Sequence, residues 1–216
     1  MGKAAIVIGA TGVVGRALVD QLVVASHIDE VVTLTRRPAP HSSPKVHNRV
    51  VDFERLGDYA DAFKGDLFFS CLGTTRKLAG SIEAQRRVDL DYQYHAAQLA
   101  AEQGVEHCLL VSSSAANASS GNAYLQMKGE LEQRLTALPF KRLSIFRPSL
   151  LLGQRSDLRI GEKIGACVMP VLCLLPGLRR YRPIRGSEVA AKMVRVSAAS
   201  GEGCESFDLD AVFPAN

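Results

Sequence analysis

Short apolar runs alternate along this chain with longer stretches in which apolar residues return every three or four positions. The strand-length runs fall at residues 4–8, 30–35, 45–51, 66–72, 107–112 and 142–146. Most are apolar at successive positions as well as alternate ones, the pattern of strands covered by helices on both faces. Between them, helical spacing covers residues 13–26, 55–62, 81–103, 123–137 and 188–200, with Gly104 placed as a helix stop. This alternation predicts an α/β fold with a doubly wound parallel sheet. The rhythm breaks at about residue 150, and residues 150–185 are expected to form a small C-terminal cap beside the sheet within one domain of residues 1–216. The most apolar stretch, residues 164–178, is shorter than the roughly 20 residues of a membrane span. Pro170, Pro176 and Gly177 interrupt it, so an apolar wall facing the core or a substrate is expected there.

Composition narrows the class. With 47% hydrophobic and 22% charged residues in 216, the chain is neither disordered, collagen-like nor disulfide-stapled. The 26 basic side chains exceed the 22 acidic ones by four and are dispersed, which points to neither a nucleic acid nor a membrane as partner. Cys71, Cys108, Cys167, Cys173 and Cys204 contain no C-x-x-C pair, so neither a disulfide framework nor a zinc site is expected, and a cytoplasmic location is. The chain begins with the strand-like residues 3–8 without a basic n-region followed by a cleavage site, so no secretory signal is expected. His27, His41, His47, His95 and His107 are scattered without metal-ligand spacing, and no metal is expected.

The first strand runs into Gly9-Ala10-Thr11-Gly12-Val13-Val14-Gly15, a G-x-x-G-x-x-G loop that opens a helix. Glycines there let the backbone approach a pyrophosphate, while the helix N-terminus offers free N–H groups and the positive end of its dipole. Val14 stands where an ATP-type loop needs its second glycine, and no lysine follows, so a dinucleotide is the expected ligand. About 20 residues past such a loop, at the end of the second strand, an acidic residue would bind a ribose 2′-hydroxyl. This chain reads Thr33-Leu34-Thr35-Arg36-Arg37 instead. Two guanidinium groups suit a 2′-phosphate, each charge-assisted hydrogen bond contributing about 1.5–3 kcal/mol. The expected cofactor is NADP(H).

Tyr124 and Lys128 stand four residues apart, which on a helix puts both on one face. A nearby ammonium favours the phenolate and turns a weakly acidic phenol into a proton-transfer group. Ser112, Ser113 and Ser114 end the fifth strand one segment earlier, and a serine there would hydrogen-bond the substrate oxygen that gains charge during hydride transfer. Ser113 is assigned that role, with Ser112 and Ser114 as competitors.

The loop, the serines and the Tyr-x-x-x-Lys pair resemble the short-chain dehydrogenase/reductase superfamily in its extended or atypical branch. Within it, Val51-Asp52-Phe53-Glu54, Asp58-Tyr59-Ala60, Cys71-Leu72-Gly73-Thr74-Thr75-Arg76, Tyr124-Leu125-Gln126, Lys128-Gly129-Glu130 and Phe146-Arg147-Pro148 look like the family of Tat-interacting oxidoreductases in a bacterial-type form. The resemblance implies a Rossmann NAD(P)-binding fold. It places Gly9, Thr11, Gly12, Val13, Val14 and Gly15 around the pyrophosphate, Arg36 and Arg37 at the 2′-phosphate, and Asp52 with Phe53 at the adenine. Leu72 and Gly73 would line the nicotinamide ribose, Lys128 would hold the ribose hydroxyls, Tyr124 would be the acid-base residue, and Leu151 and Arg159 would make later cofactor contacts. This chain departs from the common pattern in one respect: Ser113 lies 11 residues before Tyr124, where about 13 is usual.

Two functions compete at this point. One is an NADPH-dependent oxidoreductase that reduces a small carbonyl substrate through Tyr124, Lys128 and Ser113. The other is an NADP(H)-binding sensor that acts through a protein partner without turnover, motivated by the short stretch left after residue 150 for a substrate pocket. Oligomeric state is open, with a homodimer as one outcome. A Cys71 nucleophile and an anion-binding rim at Arg179, Arg180, Arg182 and Arg185 are weaker expectations.

Overall fold

The computed structural model describes residues 2–152 and 182–214. Arg159, residues 164–178, Cys167, Cys173, Arg179 and Arg180 therefore lie outside the described residues, as does most of the expected cap.

Among the described residues the strands are β1 (Lys3–Ile8), β2 (Ile28–Thr35), β3 (Val46–Val50), β4 (Leu67–Ser70), β5 (His107–Val111), β6 (Arg142–Arg147), β7 (Leu151–Leu152), β8 (Ile184–Arg185) and β9 (Gly203–Asp208). Seven of them form one sheet in the order β3-β2-β1-β4-β5-β6-β9, every pair parallel, while β7 and β8 pair separately. The helices are α1 (Val13–Leu22), α2 (Arg76–Ala79), α3 (Ile82–Arg86), α4 (Tyr92–Glu102), α5 (Ala123–Thr136) and α6 (Gly186–Ala198). Strand order reverses at β1, so the loop leaving β1 opens at the crevice where doubly wound sheets bind ligands.

The two-residue period of the strands sorts side chains into two layers. Ala5, Val7, Leu67, Phe69, Leu109 and Val111 pack with Leu18 and Leu22 of α1 and with Val189 and Met193 of α6. Ile6, Ile8, Phe68, Cys108 and Leu110 face the other way, toward Leu56, Phe63, Ala96 of α4 and Leu131 of α5. Phe63, Phe68, Phe69 and Phe146 are fully buried, each contributing about 1.5–3 kcal/mol over an exposed side chain.

The structure differs from the sequence-based expectation in three places. The helix expected at 55–62 is a 3₁₀ segment, Phe53–Phe63, broken by non-helical backbone at Arg55 and Tyr59 and capped by Asp52. The single helix expected at 81–103 contains a π-helical turn, Arg87–Asp91, between α3 and α4. That wide turn falls where Gln85, Asp89 and Gln93, spaced four apart, all lie buried. Beyond residue 185 the chain returns to the main sheet through α6 and β9. β9 was not anticipated because Gly203-Cys204-Glu205-Ser206-Phe207-Asp208 is a polar edge strand. It is fastened by Phe207 stacked on Phe146 at 5.1 Å, by Arg142 Nε donating to Glu205 Oε1 at 2.8 Å, and by Ser144 Oγ donating to the same oxygen at 2.7 Å.

Gly129 on α5 shows where close packing dictates composition. A Cβ there would sit 2.2 Å from the backbone nitrogen of Ala118, whereas one at Gly57 would meet nothing within 4 Å. Gly129→Ala should therefore cost about 1–3 kcal/mol and lower the melting temperature measurably, while Gly57→Ala should leave it almost unchanged. Thermal unfolding of the two variants beside the parent checks this, and equal melting temperatures would contradict it.

Candidate active site at the carboxyl edge of the sheet

The loop after β1 is built from backbone. Gly9 has φ +77°, a left-handed conformation that glycine adopts without strain, and the Gly12 N–H closes the turn on the Gly9 carbonyl at 3.0 Å. A Cβ on Gly9 would lie 2.4 Å from the Cys71 carbonyl carbon, and one on Gly15 would lie 2.1 Å from the Gly9 carbonyl oxygen. The ends of β1 and β4 and the first turn of α1 thus meet at main-chain distance. No side chain caps α1, whose N-cap is Gly12. Its first amides are left for an anion, at the end where the helix dipole favours one. Thr11 is exposed, Val13 half-buried and Val14 buried in the core, so Val14 offers only backbone to a ligand.

At the end of β2 the Thr35 hydroxyl donates to the Arg37 carbonyl at 2.7 Å, and the Arg36 and Arg37 side chains are exposed. Asp52 caps the 3₁₀ segment by accepting the Glu54 N–H at 3.0 Å. Phe53 turns its ring into the core, 5.6 Å from that of Tyr92. After β4, Leu72 is half-buried and Gly73 exposed. Leu151 is exposed at the start of β7.

The chemistry-bearing side chains come from α5 and the end of β5. Asn122 caps α5, accepting the N–H groups of Tyr124 and Leu125 at 3.0 and 3.2 Å, which starts the helix so that Tyr124 and Lys128 fall one turn apart. Tyr124 is half-buried. Lys128 is only 2% exposed; its Nζ donates to the Val111 carbonyl at 3.4 Å and lies 3.7 Å from Asp89 Oδ1. Asp89 has no exposure, and burial raises its carboxyl above the usual carboxylate range while the charge of Lys128 works the other way. Both of its oxygens lie 3.4 Å from the Thr74 N–H, on the loop that follows β4. Below it, Gln93 donates to the Asp89 carbonyl at 2.9 Å and accepts from Ser70 Oγ at 2.8 Å.

The three serines separate by environment. Ser112 is buried and donates to Glu132 Oε1 at 2.5 Å, and Glu132 is in turn held by Arg147 at 3.0 and 2.7 Å. It ties β5 to α5 and β6. Ser113 and Ser114 are half-buried; Ser113 Oγ makes a 3.3 Å bond to the Ser114 carbonyl, and the Ser114 N–H donates to Pro148. Ala115, next in the chain, has φ +63°, unusual for a side-chain-bearing residue and placed beside the site. Cys71 also lies here, but burial pushes its thiol up to about 12 against the pull of Lys128, so a thiolate nucleophile is disfavoured.

Sequence reasoning missed Asp89 and its neighbours. The signal was the row Gln85, Asp89 and Gln93, three polar residues at helical spacing on a face that should have been apolar. Among the described residues there is no cluster of His, Cys, Asp and Glu able to hold a metal ion, and no helix long and apolar enough to cross a membrane. The Arg rim is represented there by Arg182 and Arg185; Arg182 pairs with Asp210 at 3.1 Å and stacks over Phe213.

An uncapped glycine turn at the topological switch point of a parallel sheet defines a nucleotide-binding protein with a Rossmann-like fold. Residues 9–143 match the NAD(P)H-binding family, and the chain belongs to it. It is 42% identical over 164 residues to the protein HTATIP2 of Rattus norvegicus, covering 74% of this chain and 67% of that protein. It is 38% identical over 198 residues to the mitochondrial protein FMP52 of Eremothecium gossypii, covering 89% and 88%. Its fold is shared with MoeE5 in complex with UDP-glucuronic acid and NAD, at a TM-score of 0.73 and 17% identity over 95% of this chain and 76% of that one. The fold of gox2253 is also similar, with a TM-score of 0.70 and 20% identity over 95% and 69%.

Ser112 and Ser113 make opposite forecasts. Ser112→Ala removes one of the two hydrogen bonds to Glu132 Oε1, leaving that of Arg147, and should cost about 1.5–3 kcal/mol of stability with nucleotide binding unchanged. Ser113→Ala should leave the melting temperature near that of the parent. Paired melting curves and nucleotide titrations decide the assignment, and the reverse order of stabilities would overturn it.

Proposed function

We propose that this protein is an NADP(H)-dependent oxidoreductase that reduces a small carbonyl compound. The observation that carries this reading is Lys128, a cation buried at the end of β5 one helical turn from Tyr124. A lysine on an ordinary surface helix stays in water; one drawn to the edge of the sheet is placed to act on something bound there. The residues present fit a dinucleotide. Gly9, Thr11, Gly12, Val13, Val14 and Gly15 would surround its pyrophosphate through uncapped backbone amides. Asp52 and Phe53 would border the adenine, and Leu72, Gly73 and Lys128 the nicotinamide ribose. Arg36 and Arg37 support NADP(H) over NAD(H), since both are exposed just past β2 and the ion pairs of the described residues do not include them.

The nicotinamide, when bound, supplies the hydride. This chain's residues do the rest. Tyr124 gives its phenolic proton to the carbonyl oxygen as charge develops there, Ser113 donates a hydrogen bond to the same oxygen, and Lys128 holds the ribose hydroxyls. Leu151, exposed at the start of β7, would add a later cofactor contact. No metal takes part in this scheme. The relatives HTATIP2 and FMP52 support the class of protein, and FMP52 is named mitochondrial. For this chain we propose the cytoplasm, since Cys71, Cys108 and Cys204 are all free thiols suited to a reducing compartment.

Titration with NADPH and with NADH, followed by nicotinamide fluorescence because the chain has no Trp, should show a clear preference for NADPH. The double variant Arg36→Ala/Arg37→Ala should lose at least about tenfold in NADPH affinity and little in NADH affinity. Equal loss for both nucleotides would remove the 2′-phosphate assignment.

On a panel of aldehydes and ketones, Tyr124→Phe should reduce turnover by about 10²–10⁴-fold with NADPH affinity nearly unchanged. Retained turnover would sink the mechanism. NADPH binding without turnover in the parent, together with a protein partner whose affinity follows NADPH, would favour the sensor reading instead.

A further inference from the structure

Lys128 does not hold its own place. Its Nζ has three N–H donors: one reaches the Val111 carbonyl, at 3.4 Å, and a second faces Asp89 Oδ1 at 3.7 Å. Asp89 has no exposure and is pinned from three elements. The Thr74 N–H approaches both carboxylate oxygens at 3.4 Å, Gln85 of α3 hydrogen-bonds the carboxylate through its side chain, and Lys128 approaches from α5. The backbone beneath is fixed as well, because Gln93 links the Asp89 carbonyl to Ser70 at the end of β4. Asp89 also sits under the Gly73 loop, where a Cβ on Gly73 would come within 3.6 Å of Oδ1.

We propose that Asp89 is the positioning residue of Lys128. Its carboxylate, anchored to the Thr74 amide, fixes the ammonium relative to the Gly73–Thr74 loop, so that the third N–H is presented to the ribose hydroxyls of a nucleotide lying against that loop. The same contact joins β4 and α5, the two elements that border the nicotinamide side. A carboxylate buried without a counter-charge would be costly, and one buried against a lysine that is itself to hold a ligand makes one group serve both the fold and the site. This inference rests on Lys128 as the ribose-holding residue but requires no turnover.

The test is a double-mutant cycle on the full chain: parent, Asp89→Asn, Lys128→Met and the double variant, each titrated with NADPH by nicotinamide fluorescence. Asp89→Asn keeps the shape and should weaken NADPH binding about five- to tenfold, within the range of couplings between residues in contact. In the Lys128→Met background the same change should do nothing further, because Asp89 acts through Lys128. Losses that add in the double variant would show Asp89 to be merely structural and overturn the proposal, as would an Asp89→Asn variant that binds like the parent. If Asp89→Asn does not fold, the double variant is compared with Lys128→Met alone: equal affinities support the proposal and a weaker double variant overturns it. A parent that binds NADPH but reduces no carbonyl removes the oxidoreductase reading and leaves this cycle in force. A parent that binds no NADPH overturns both.

Discussion

The site depends on a cation held out of water. Lys128 is almost fully buried, and every neighbouring feature can be traced to that constraint. A buried ammonium needs a counter-charge and acceptors. Asp89 and the Val111 carbonyl supply them, Gln85 and the Thr74 amide hold Asp89, and Gln93 with Ser70 hold the turn from which it projects. The π-helical turn at Arg87–Asp91 lies at the middle of this polar row, in the kind of place where such turns commonly occur. Arg86 and Glu130 pair at 2.6 Å and join α3 to α5.

The cofactor half of the site obeys a different rule, that main chain must come close to main chain. Gly9 faces the Cys71–Leu72 peptide, Gly15 faces Gly9, and Gly186 at the start of α6 would meet the Val13 carbonyl oxygen at 2.6 Å if it carried a Cβ. Small residues at these points let α1 and α6 pack together beneath β1 with the N-terminus of α1 still uncovered. Replacing side chains with backbone at an anion site has a further effect: the donors are fixed by the fold, so little order is lost when a ligand arrives.

How much of this could be read from residues alone follows from the range of each interaction. The alternating strands and the glycine loop are local patterns, and the strands β1 to β6 with α1, α5 and α6 fell where the periodicity put them, within a few residues. β9 escaped because an edge strand need not be apolar on both faces; what fastens it is Arg142, Ser144 and Phe146 of the neighbouring strand, partners about 60 residues away in sequence. Ser112 and Ser113 could not be told apart by spacing, since the difference is Glu132, 20 residues on and across a helix. Asp89 was visible only as a fault in an apolar face, and its partner Lys128 lies on another helix.

The two halves of the site are therefore held by separate parts of the fold. The glycine loop is positioned by β1, β4, α1 and α6, on packing and backbone contact. Tyr124 and Lys128 lie on a helix started by Asn122 and packed closely at Gly129, with Lys128 against Asp89 and the end of β5. Among the described residues the turn from Cys71 to Thr74 belongs to both, with Cys71 against Gly9 on one side and Thr74 against Asp89 on the other. A nucleotide seated on the loop would reach Tyr124 and Lys128 across that turn, and under the proposed function the turn is what would couple binding at α1 to α5.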